Sequence, residues 1–358
     1  MRVLLTNLKL ATRTGTEMAT RDLALGLMRS GHEACVFSPL LGAVAHEIAG
    51  AGIPVVSRIE DVPYRPDIIH GHHHVETTLA LTHFRNIPAI FVCHDRLIWH
   101  DSPPRLSAIR RYVAVDRNCL ERLVIESGIP EEQTRLILNA VDLRRFSPRP
   151  SLPARPARAL VFSNNAKEGS ELATLREVCR EADIELAVIG AGVGFPALRP
   201  EEILGEYDLV FAKARCALEA LAAGCVVILC DWQGLGPMVT SAQLQELREW
   251  NLGMRCLQEP WGADSIRREL ARYDPADAGR VTELVRAGAS LDQAVANYVE
   301  LYKEALADLP GTCVTVSGAV ETLARSIGAF EGMLRAADEP SAAPPLPPTA
   351  AAQIEVRL

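Results

Sequence analysis

The stretch "YVAVDRNCLERLVIESGIPEEQTRLILNAVDLRRFSP", residues 112–148, indicates the fold more clearly than any other part of the chain. Its apolar start predicts a strand that ends in Asp116. "CLERLVIESG" predicts a helix that stops at Gly128, because glycine commonly terminates helices. "IPEEQ" is typical of a turn, and "RLILNAVD" predicts another strand. Strand, helix and strand in this order form one unit of a parallel α/β sheet.

The same alternation continues on the N-terminal side of this stretch. Short apolar runs predict the strands "RVLLTN", "ACVFSP", "IPVVS", "DIIHGH" and "AIFVCH", and the segments between them predict helices at 16–30, 42–51 and 76–85, with a further helix at 117–127. Nearly continuous apolar strands are expected in a parallel sheet that is covered on both faces. The first half of the chain is therefore predicted to be one doubly wound domain.

A second α/β series follows a proline-rich segment. "FSPRPSLPARPAR" holds four prolines and predicts a semi-rigid linker. The strands "ALVFSN", "ELAVIG", "YDLVFA" and "VVILCD" then alternate with helices at 170–182 and 216–224, and the chain becomes helical after 240. The predicted fold class is α/β, with two Rossmann-like doubly wound domains that face a cleft. The predicted ranges are 1–147 for the N-terminal domain, 148–157 for the linker, 158–310 for the C-terminal domain, 311–336 for a helical segment and 337–358 for a disordered, proline- and alanine-rich tail.

Composition excludes several classes of protein. The chain has 358 residues, 48% of them hydrophobic and 23% charged, which is ordinary for folded domains. The net charge of -8 argues against general nucleic-acid binding. No apolar run is long enough to span a bilayer. The N-terminal residues predict a strand and not a secretory signal. Nine cysteines without a C-x-x-C spacing fit a reducing compartment. We expect a cytoplasmic protein.

Two sets of polar residues fall where predicted parallel strands end, which is where open α/β sheets bind ligands. The loop before the first helix holds Gly15 and Thr16, whose backbone amides form a potential anion site. "HGHHH" at 70–74 and the pair His94 and Asp95 follow the strands "DIIH" and "AIFVC". We predict that His70, His72 and Asp95 line the cleft and that His73 and His74 lie in a solvated loop. Zinc is an alternative for these histidines, but no third ligand can be identified, so no metal is predicted.

Several of these motifs together resemble glycosyltransferase family 4 and its GT-B relatives. In that family a helix ending in Gly-Ile-Pro precedes "NGVD" and a phenylalanine-proline pair. Here "GIP" precedes "NAVD", with Ala140 at the glycine position, and Phe146 comes shortly before Pro148. "GHE" at 31–33, "DIIHGH" and "CHD" occur in the family's order, so the resemblance extends over residues 1 to about 310.

The resemblance implies a site between the two domains. The first loop, with Thr14, Gly15 and Thr16, would approach the diphosphate of a nucleotide-sugar donor, and His94 would lie near the reacting centre. In "VFSNNAKEG", Asn164 stands at the place of the family's arginine, and Lys167 is displaced from the lysine position. "VIGAGVG" resembles the loop beside the nucleotide base, so the resemblance implies that Gly190 and Ala191 contact the base.

"ALEALAAGCVVILCD" matches the family's "LEAMACGVPVV" and implies that Glu219 binds the ribose hydroxyls. A helix glutamate with only capping value is the alternative. The companion glutamate that contacts the donor sugar is replaced by Phe211. Lys213 and Arg215 flank the helix entrance, where cations oppose the helix dipole, so we infer a bound anion and predict that both residues neutralise the diphosphate. Gly234, Leu235 and Gly236 are expected to offer backbone amides to the phosphates.

The predicted function is therefore transfer of a sugar from a nucleotide-diphosphate donor, UDP- or GDP-linked, with retention of configuration and without a cofactor or obligatory metal. The acceptor, whether glycan, lipid or small molecule, is open. Two alternatives remain: a non-hydrolysing sugar-nucleotide epimerase, and a binding protein that has the GT-B fold but no catalytic activity. Arg105, Arg110 and Arg111 could contact an anionic membrane surface, although a solvated face is the competing interpretation.

Overall fold

A computed structural model describes residues 1–308 and four helical positions at 318, 320, 321 and 324. The predicted tail at 337–358 lies outside the described residues, as does most of the segment predicted at 311–336. No helix among the described residues combines the length and apolar character that a bilayer span requires.

The N-terminal half is built on a seven-stranded parallel sheet in the order β5-β3-β1-β6-β7-β8-β9. The four central strands β1, β6, β7 and β8 carry mostly buried side chains, as expected for strands covered by helices on both faces. The elements are β1 (Arg2–Thr6), β2 (Lys9–Leu10), α1 (Gly15–Arg29), β3 (Glu33–Phe37), β4 (Leu40–Leu41), α2 (Ala43–Gly50), β5 (Val55–Val56), β6 (Ile68–His72), α3 (His74–His83), β7 (Ala89–Cys93), β8 (Ile109–Ala114), α4 (Arg117–Glu121) and β9 (Thr134–Leu136).

The helix predicted at 117–127 is divided. Asp116 caps α4, because its side chain accepts a hydrogen bond from the backbone N–H of Cys119 at 2.7 Å. After Glu121 the chain continues as a π-helical segment, Arg122–Glu126. Arg122 is buried there and donates to the carbonyl oxygens of Asp95 and Ile98, which holds the loop after β7 against this helix.

The C-terminal half contains a five-stranded sheet in the order β11-β10-β12-β13-β14, in which only the last strand is antiparallel. One hydrophobic cluster packs on each face of this sheet. The elements are β10 (Arg158–Phe162), α5 (Ser170–Glu181), β11 (Glu185–Ile189), α6 (Pro200–Ile203), β12 (Leu209–Ala212), α7 (Ala214–Ala222), β13 (Val226–Asp231), β14 (Gly234–Met238), α8 (Leu244–Glu249), α9 (Ala263–Leu270), α10 (Pro275–Gly288) and α11 (Leu291–Ala307).

The last described long helix, α11, returns to the N-terminal half. Leu291, Val295, Leu301 and Tyr302 belong to the same hydrophobic cluster as β1, β6, β7 and β8. The contact with α1 is close, because a Cβ atom on Gly26 would lie 2.5 Å from Cγ2 of Val295. In the other direction, Val141 and Phe146 pack in the core of the C-terminal half. The chain therefore crosses between the two halves twice.

Candidate functional site in the interdomain cleft

Residues that follow strand ends in one half contact residues that follow strand ends in the other. Asn164, in the loop after β10, donates from its side-chain nitrogen to the carbonyl oxygen of Arg13 at 3.3 Å. Arg215, in the first turn of α7, forms an ion pair with Asp22 of α1. The structure thus brings the predicted phosphate loop 14–16 close to the loop that holds Asn164 and Lys167.

The interdomain charge cluster consists of Asp22, Arg145, Arg215 and Glu219. The Nε atom of Arg215 lies 2.8 Å from Oε1 of Glu219, and Arg145 lies 3.8 Å from Asp22. Burial raises the pKa of Glu219, and the neighbouring Arg215 opposes that rise. Burial also disfavours the charge on Arg215, but Asp22 and Glu219 together hold its pKa above the usual value. The cluster is therefore internally neutralised.

Two expectations about α7 are corrected by these contacts. The helix predicted at 216–224 would place Glu219 in its first turn, but Glu219 is the sixth residue of Ala214–Ala222, so its carboxylate does not complement the helix dipole. The cations at the helix entrance also have carboxylate partners, since Lys213 pairs with Asp231 and Arg215 with Asp22. These carboxylates, not a bound anion, offset the positive charge. The roles of Glu219, Lys213 and Arg215 toward a donor stay predictions.

The N-terminus of α1 is open to the cleft. Thr14 and Gly15 are exposed, and no atom outside the adjoining residues lies within 4 Å of a Cβ placed on Gly15. Thr16 is half-buried, and the next residue, Glu17, is fully buried and accepts hydrogen bonds from the hydroxyls of Thr12 and Thr14. Across the cleft, Lys167 is exposed and forms no ion pair with any described residue.

The loop predicted to border the nucleotide base uses its amides internally. The backbone N–H of Gly190 donates to Phe195, that of Ala191 to the side chain of Asn164, and that of Gly192 to the carbonyl of Asn164. A Cβ on Gly190 would lie 1.8 Å from the carbonyl oxygen of Ser163, which explains why glycine stands there. The loop after β11 is packed against the loop after β10 and presents none of these three amides to a ligand.

The glycines at 234–236 do not form a phosphate-binding loop. Gly234, Leu235 and Gly236 lie in strand β14, all three are buried, and the backbone N–H of Leu235 donates to Glu259 at 2.8 Å. Glycine is needed at position 236, because a Cβ atom there would lie 2.6 Å from the carbonyl oxygen of Cys256. The expected backbone contacts of this segment with donor phosphates stay a prediction, which its burial in a strand does not favour.

Phe211, at the position of the missing glutamate, is fully buried in β12 and belongs to the core beside α5. Its side chain packs inside the domain and does not reach the surface, so it offers no contact to a donor sugar. The substitution has a structural role, in that it adds a large apolar side chain to the core.

His72 and His94 line the small cavity on the N-terminal side of the cleft, whereas His70, which was also predicted to line the cleft, is fully buried against α11. Nδ1 of His72 lies 2.6 Å from Nε2 of His94, and Nδ1 of His70 lies 2.6 Å from the hydroxyl of Tyr302. Burial lowers the pKa of His70 to about 3 and that of His94 to about 4, so both rings are neutral near pH 7. Asp95 accepts hydrogen bonds from the backbone N–H groups of Leu97 and Ile98 and so shapes the adjoining loop.

His73 and His74 are buried, not solvated as expected. His73 brings its ring within 4.8 Å of ligand atoms of His100 and Asp101. The backbone N–H of Leu8 donates to Nδ1 of His73 at 2.9 Å, so the neutral ring carries its proton on Nε2. Because a metal ion needs the lone pair of a ring nitrogen, this tautomer does not suit metal binding.

A cavity of about 510 Å³ opens between the loop after β10, the first turn of α5 and the residues after β13. We call it the tryptophan cavity, because Trp232 and Trp261 line it together with Lys167, Glu171 and Asp231. Sequence reasoning missed both tryptophans. Trp232 did carry a signal, since an aromatic residue directly after the strand "VVILCD" lies at the carboxyl edge of the predicted sheet.

The comparisons with known proteins agree with this architecture. Residues 13–145 match the family model of Glycosyltransferase Family 4, whereas a search of curated proteins gives no match. A glycosyltransferase from Rickettsia africae has a similar structure, with TM-score 0.61, 15% identity and coverage of 86% of this chain and 99% of that one.

Two further solved structures share the fold. Anabaena HepE, solved in complex with UDP and glucose, gives a TM-score of 0.58 at 14% identity, covering 84% of this chain and 99% of its own. A putative UDP-N-acetylglucosamine 2-epimerase from Listeria monocytogenes gives 0.50 at 13% identity, covering 85% and 95%. The chain therefore has the GT-B fold, and its residues 13–145 match Glycosyltransferase Family 4.

Proposed function

We propose that the protein is a glycosyltransferase that moves a sugar from a nucleoside-diphosphate donor to an acceptor hydroxyl, with retention and without a metal ion. The observation that carries the proposal is the contact of Asn164 with Arg13 across the cleft. It places the open N-terminus of α1 opposite the loop that holds Lys167. A helix N-terminus and an unpaired lysine are the groups that bind a diphosphate.

In the proposed reaction, the bond between the anomeric carbon and the diphosphate oxygen breaks, a bond to the acceptor oxygen forms, and the proton of the acceptor hydroxyl passes to the departing diphosphate. The departing diphosphate takes the electron pair, so the site must stabilise negative charge. Gly15, Thr16 and Lys167 supply that stabilisation. His94, as a neutral imidazole, hydrogen-bonds a sugar or acceptor hydroxyl.

Binding of donor and acceptor requires the cleft to open. The cavity beside His72, His94 and Arg215 has a volume of about 50 Å³. Ligand sites usually measure roughly 300 Å³ or more. Opening would separate Arg215 from Asp22, after which Arg215 can exchange Asp22 for the diphosphate and keep its hydrogen bond to Glu219. Closure around bound substrates would then exclude water from the donor.

A donor screen tests the proposal. UDP-, GDP-, ADP- and dTDP-sugars are compared by the rise in melting temperature that each produces, since a ligand of the native state stabilises it by mass action. We expect one donor class to stabilise the protein and the Lys167→Ala variant to lose most of that shift. Arg180→Ala, at the far end of α5, is the matched control and should keep it. If no sugar nucleotide raises the melting temperature of the wild type, the chain is an idle GT-B protein and the proposal fails.

Incubation of the stabilising donor without an acceptor separates transferase from epimerase. A transferase leaves the donor intact or hydrolyses it slowly, whereas an epimerase converts it into a second sugar nucleotide. Proton NMR of the anomeric signals distinguishes these outcomes. With acceptors added, the coupling constant of the product's anomeric proton tests retention.

A further inference from the structure

We infer that the nucleoside of the donor binds in the tryptophan cavity, with its base against Trp232, its ribose at Glu171 and its first phosphate at Lys167. This inference rests on the proposed function and names the nucleoside subsite of that same donor site. It differs from the placement expected from the sequence, in which the loop after β11 meets the base and Glu219 meets the ribose.

The protein groups that were expected from the sequence to bind the nucleoside are hydrogen-bonded to other groups of the protein. The amides of Gly190, Ala191 and Gly192 donate to protein acceptors, and the close approach of Ser163 to Gly190 leaves no space between the two loops. The carboxylate of Glu219 accepts from Arg215 and is buried within the interdomain charge cluster. A nucleoside would have to displace these contacts before it could bind there.

The tryptophan cavity lies beside the loop after β10, where the diphosphate is expected, and offers aromatic surface. Its volume of about 510 Å³ is ample for a nucleoside. The side chain of Trp232 is 64% exposed, although an indole normally packs inside a domain. Trp261 is fixed in orientation, because its Nε1 donates to the carbonyl oxygen of Asp231 at 2.7 Å. Exposed aromatic rings stack on nucleobases, which all have a flat face.

Charge in the cavity fits the remaining parts of a nucleotide. Of the acidic residues that line it, Asp231 pairs with Lys213, and Glu168 pairs with Arg176. Glu171, in the first turn of α5, forms no ion pair with any described residue and accepts only from the hydroxyl of Ser170. A free carboxylate accepts two hydrogen bonds from a vicinal diol. Lys167 stands two residues before Gly169, the N-cap of α5, and supplies the positive charge for a phosphate.

Tryptophan fluorescence during titration with UDP, GDP, ADP and dTDP tests the inference. We expect the best nucleotide to quench wild-type emission. Its Kd should rise roughly five- to 150-fold in Trp232→Ala, because stacking on one base is worth on the order of 1–3 kcal/mol. Trp250→Phe is the control, since Trp250 packs between Arg117 and Arg255 outside the cavity. Trp232 is exposed, so its replacement leaves the core intact.

The ribose contact has its own test. Glu171→Gln should weaken UDP binding more than dTDP binding, because dTDP lacks the 2′-hydroxyl. The inference is overturned if Trp232→Ala and Glu171→Gln both bind the nucleotide as well as the wild type does, while Glu219→Gln loses binding. That result would leave the proposed function standing. If the wild type binds none of the four nucleotides and none of their sugars, the proposed function itself fails.

Discussion

Asp101 lies in an environment that its sequence context does not predict. It ends the 3-10 turn Trp99–Asp101, its side chain is buried, and its Oδ1 atom meets no hydrogen-bond donor among the described residues. Burial, and then the nearby charge of Asp95, raises the pKa of Asp101 to about 7, while Arg122 and the backbone N–H groups of His94 and Asp95 oppose the rise. Its protonation therefore couples to stability near neutral pH.

This coupling predicts the pH dependence of an Asp101→Asn variant. The pKa is 3.8 without the fold and about 7 within it, so folding takes up a proton between these values. Stability associated with Asp101 is fully present below pH 3.8 and is lost as the pH rises through 7. The free energy of unfolding of Asp101→Asn minus that of the wild type should increase between pH 4 and 7. Above pH 7 this difference should stay constant. Urea unfolding at several pH values measures the difference. A difference that does not change with pH would contradict the raised pKa.

The sequence could not reveal this residue. In "IWHDSPP" nothing marks Asp101 as buried, because its burial depends on the loop after β7 folding under Arg122. The same holds for His73, whose ring is fixed by the backbone of Leu8, a residue far away in sequence. The positions of His72 and His94 at strand ends were predictable from the parallel topology, whereas His70 lies in the middle of β6 and is buried.

At the level of elements, α11 is attached to the N-terminal sheet by a buried polar contact inside an apolar interface, in addition to the more exposed ion pairs of Glu304 with Arg111 and Arg135. The hydroxyl of Tyr302 is fully buried and lies 2.6 Å from Nδ1 of His70. One turn earlier on the same helix, Tyr298 stacks on Tyr302, and its hydroxyl has no hydrogen-bond partner among the described residues. The two tyrosines therefore form a matched pair.

We predict that Tyr302→Phe destabilises the protein and that Tyr298→Phe does not. Removing the Tyr302 hydroxyl leaves Nδ1 of His70 buried without a partner, which costs roughly 1–3 kcal/mol. Denaturant midpoints of both variants measure the effect. Equal midpoints would show that the hydrogen bond between Tyr302 and His70 contributes nothing to the attachment of α11.

Most strands and helices were predictable, and the exceptions have physical reasons. The strand β14 has the sequence "GLGPM", which by composition favours a loop. It is a strand at a sheet edge. The backbones of Glu259 and Cys256 approach Gly234 and Gly236 too closely for a side chain at either position. The π-helical segment Arg122–Glu126 and the return of α11 to the N-terminal core depend on tertiary packing, which single-sequence periodicity does not encode.

On the scale of the whole molecule, the two halves are joined by ion pairs of unequal depth. Asp22 is nearly inaccessible and contacts Arg21, Arg145 and Arg215. By contrast, the pair of Arg255 with Glu121 also crosses the cleft but is partly exposed to solvent. Buried pairs become costly when one partner is removed, whereas exposed pairs contribute little.

Asp22→Asn should therefore loosen the cleft, while Arg255→Gln should not. Loss of the Asp22 charge leaves three half-buried guanidinium groups with fewer carboxylates, at a cost of roughly 3–5 kcal/mol. We expect a lower melting temperature and a larger radius of gyration by small-angle X-ray scattering for Asp22→Asn alone. Similar values for both variants would contradict the central place of Asp22 in the closed arrangement.

The return of α11 also bears on the order of events during synthesis. The N-terminal core includes side chains from Val3 near the start of the chain and from Tyr302 near the end of its described part. A ribosome must therefore translate both α/β halves before the first of them can complete its core. We expect a nascent chain that ends before residue 291 to expose the apolar groove beside α1 and to attract chaperones until α11 emerges.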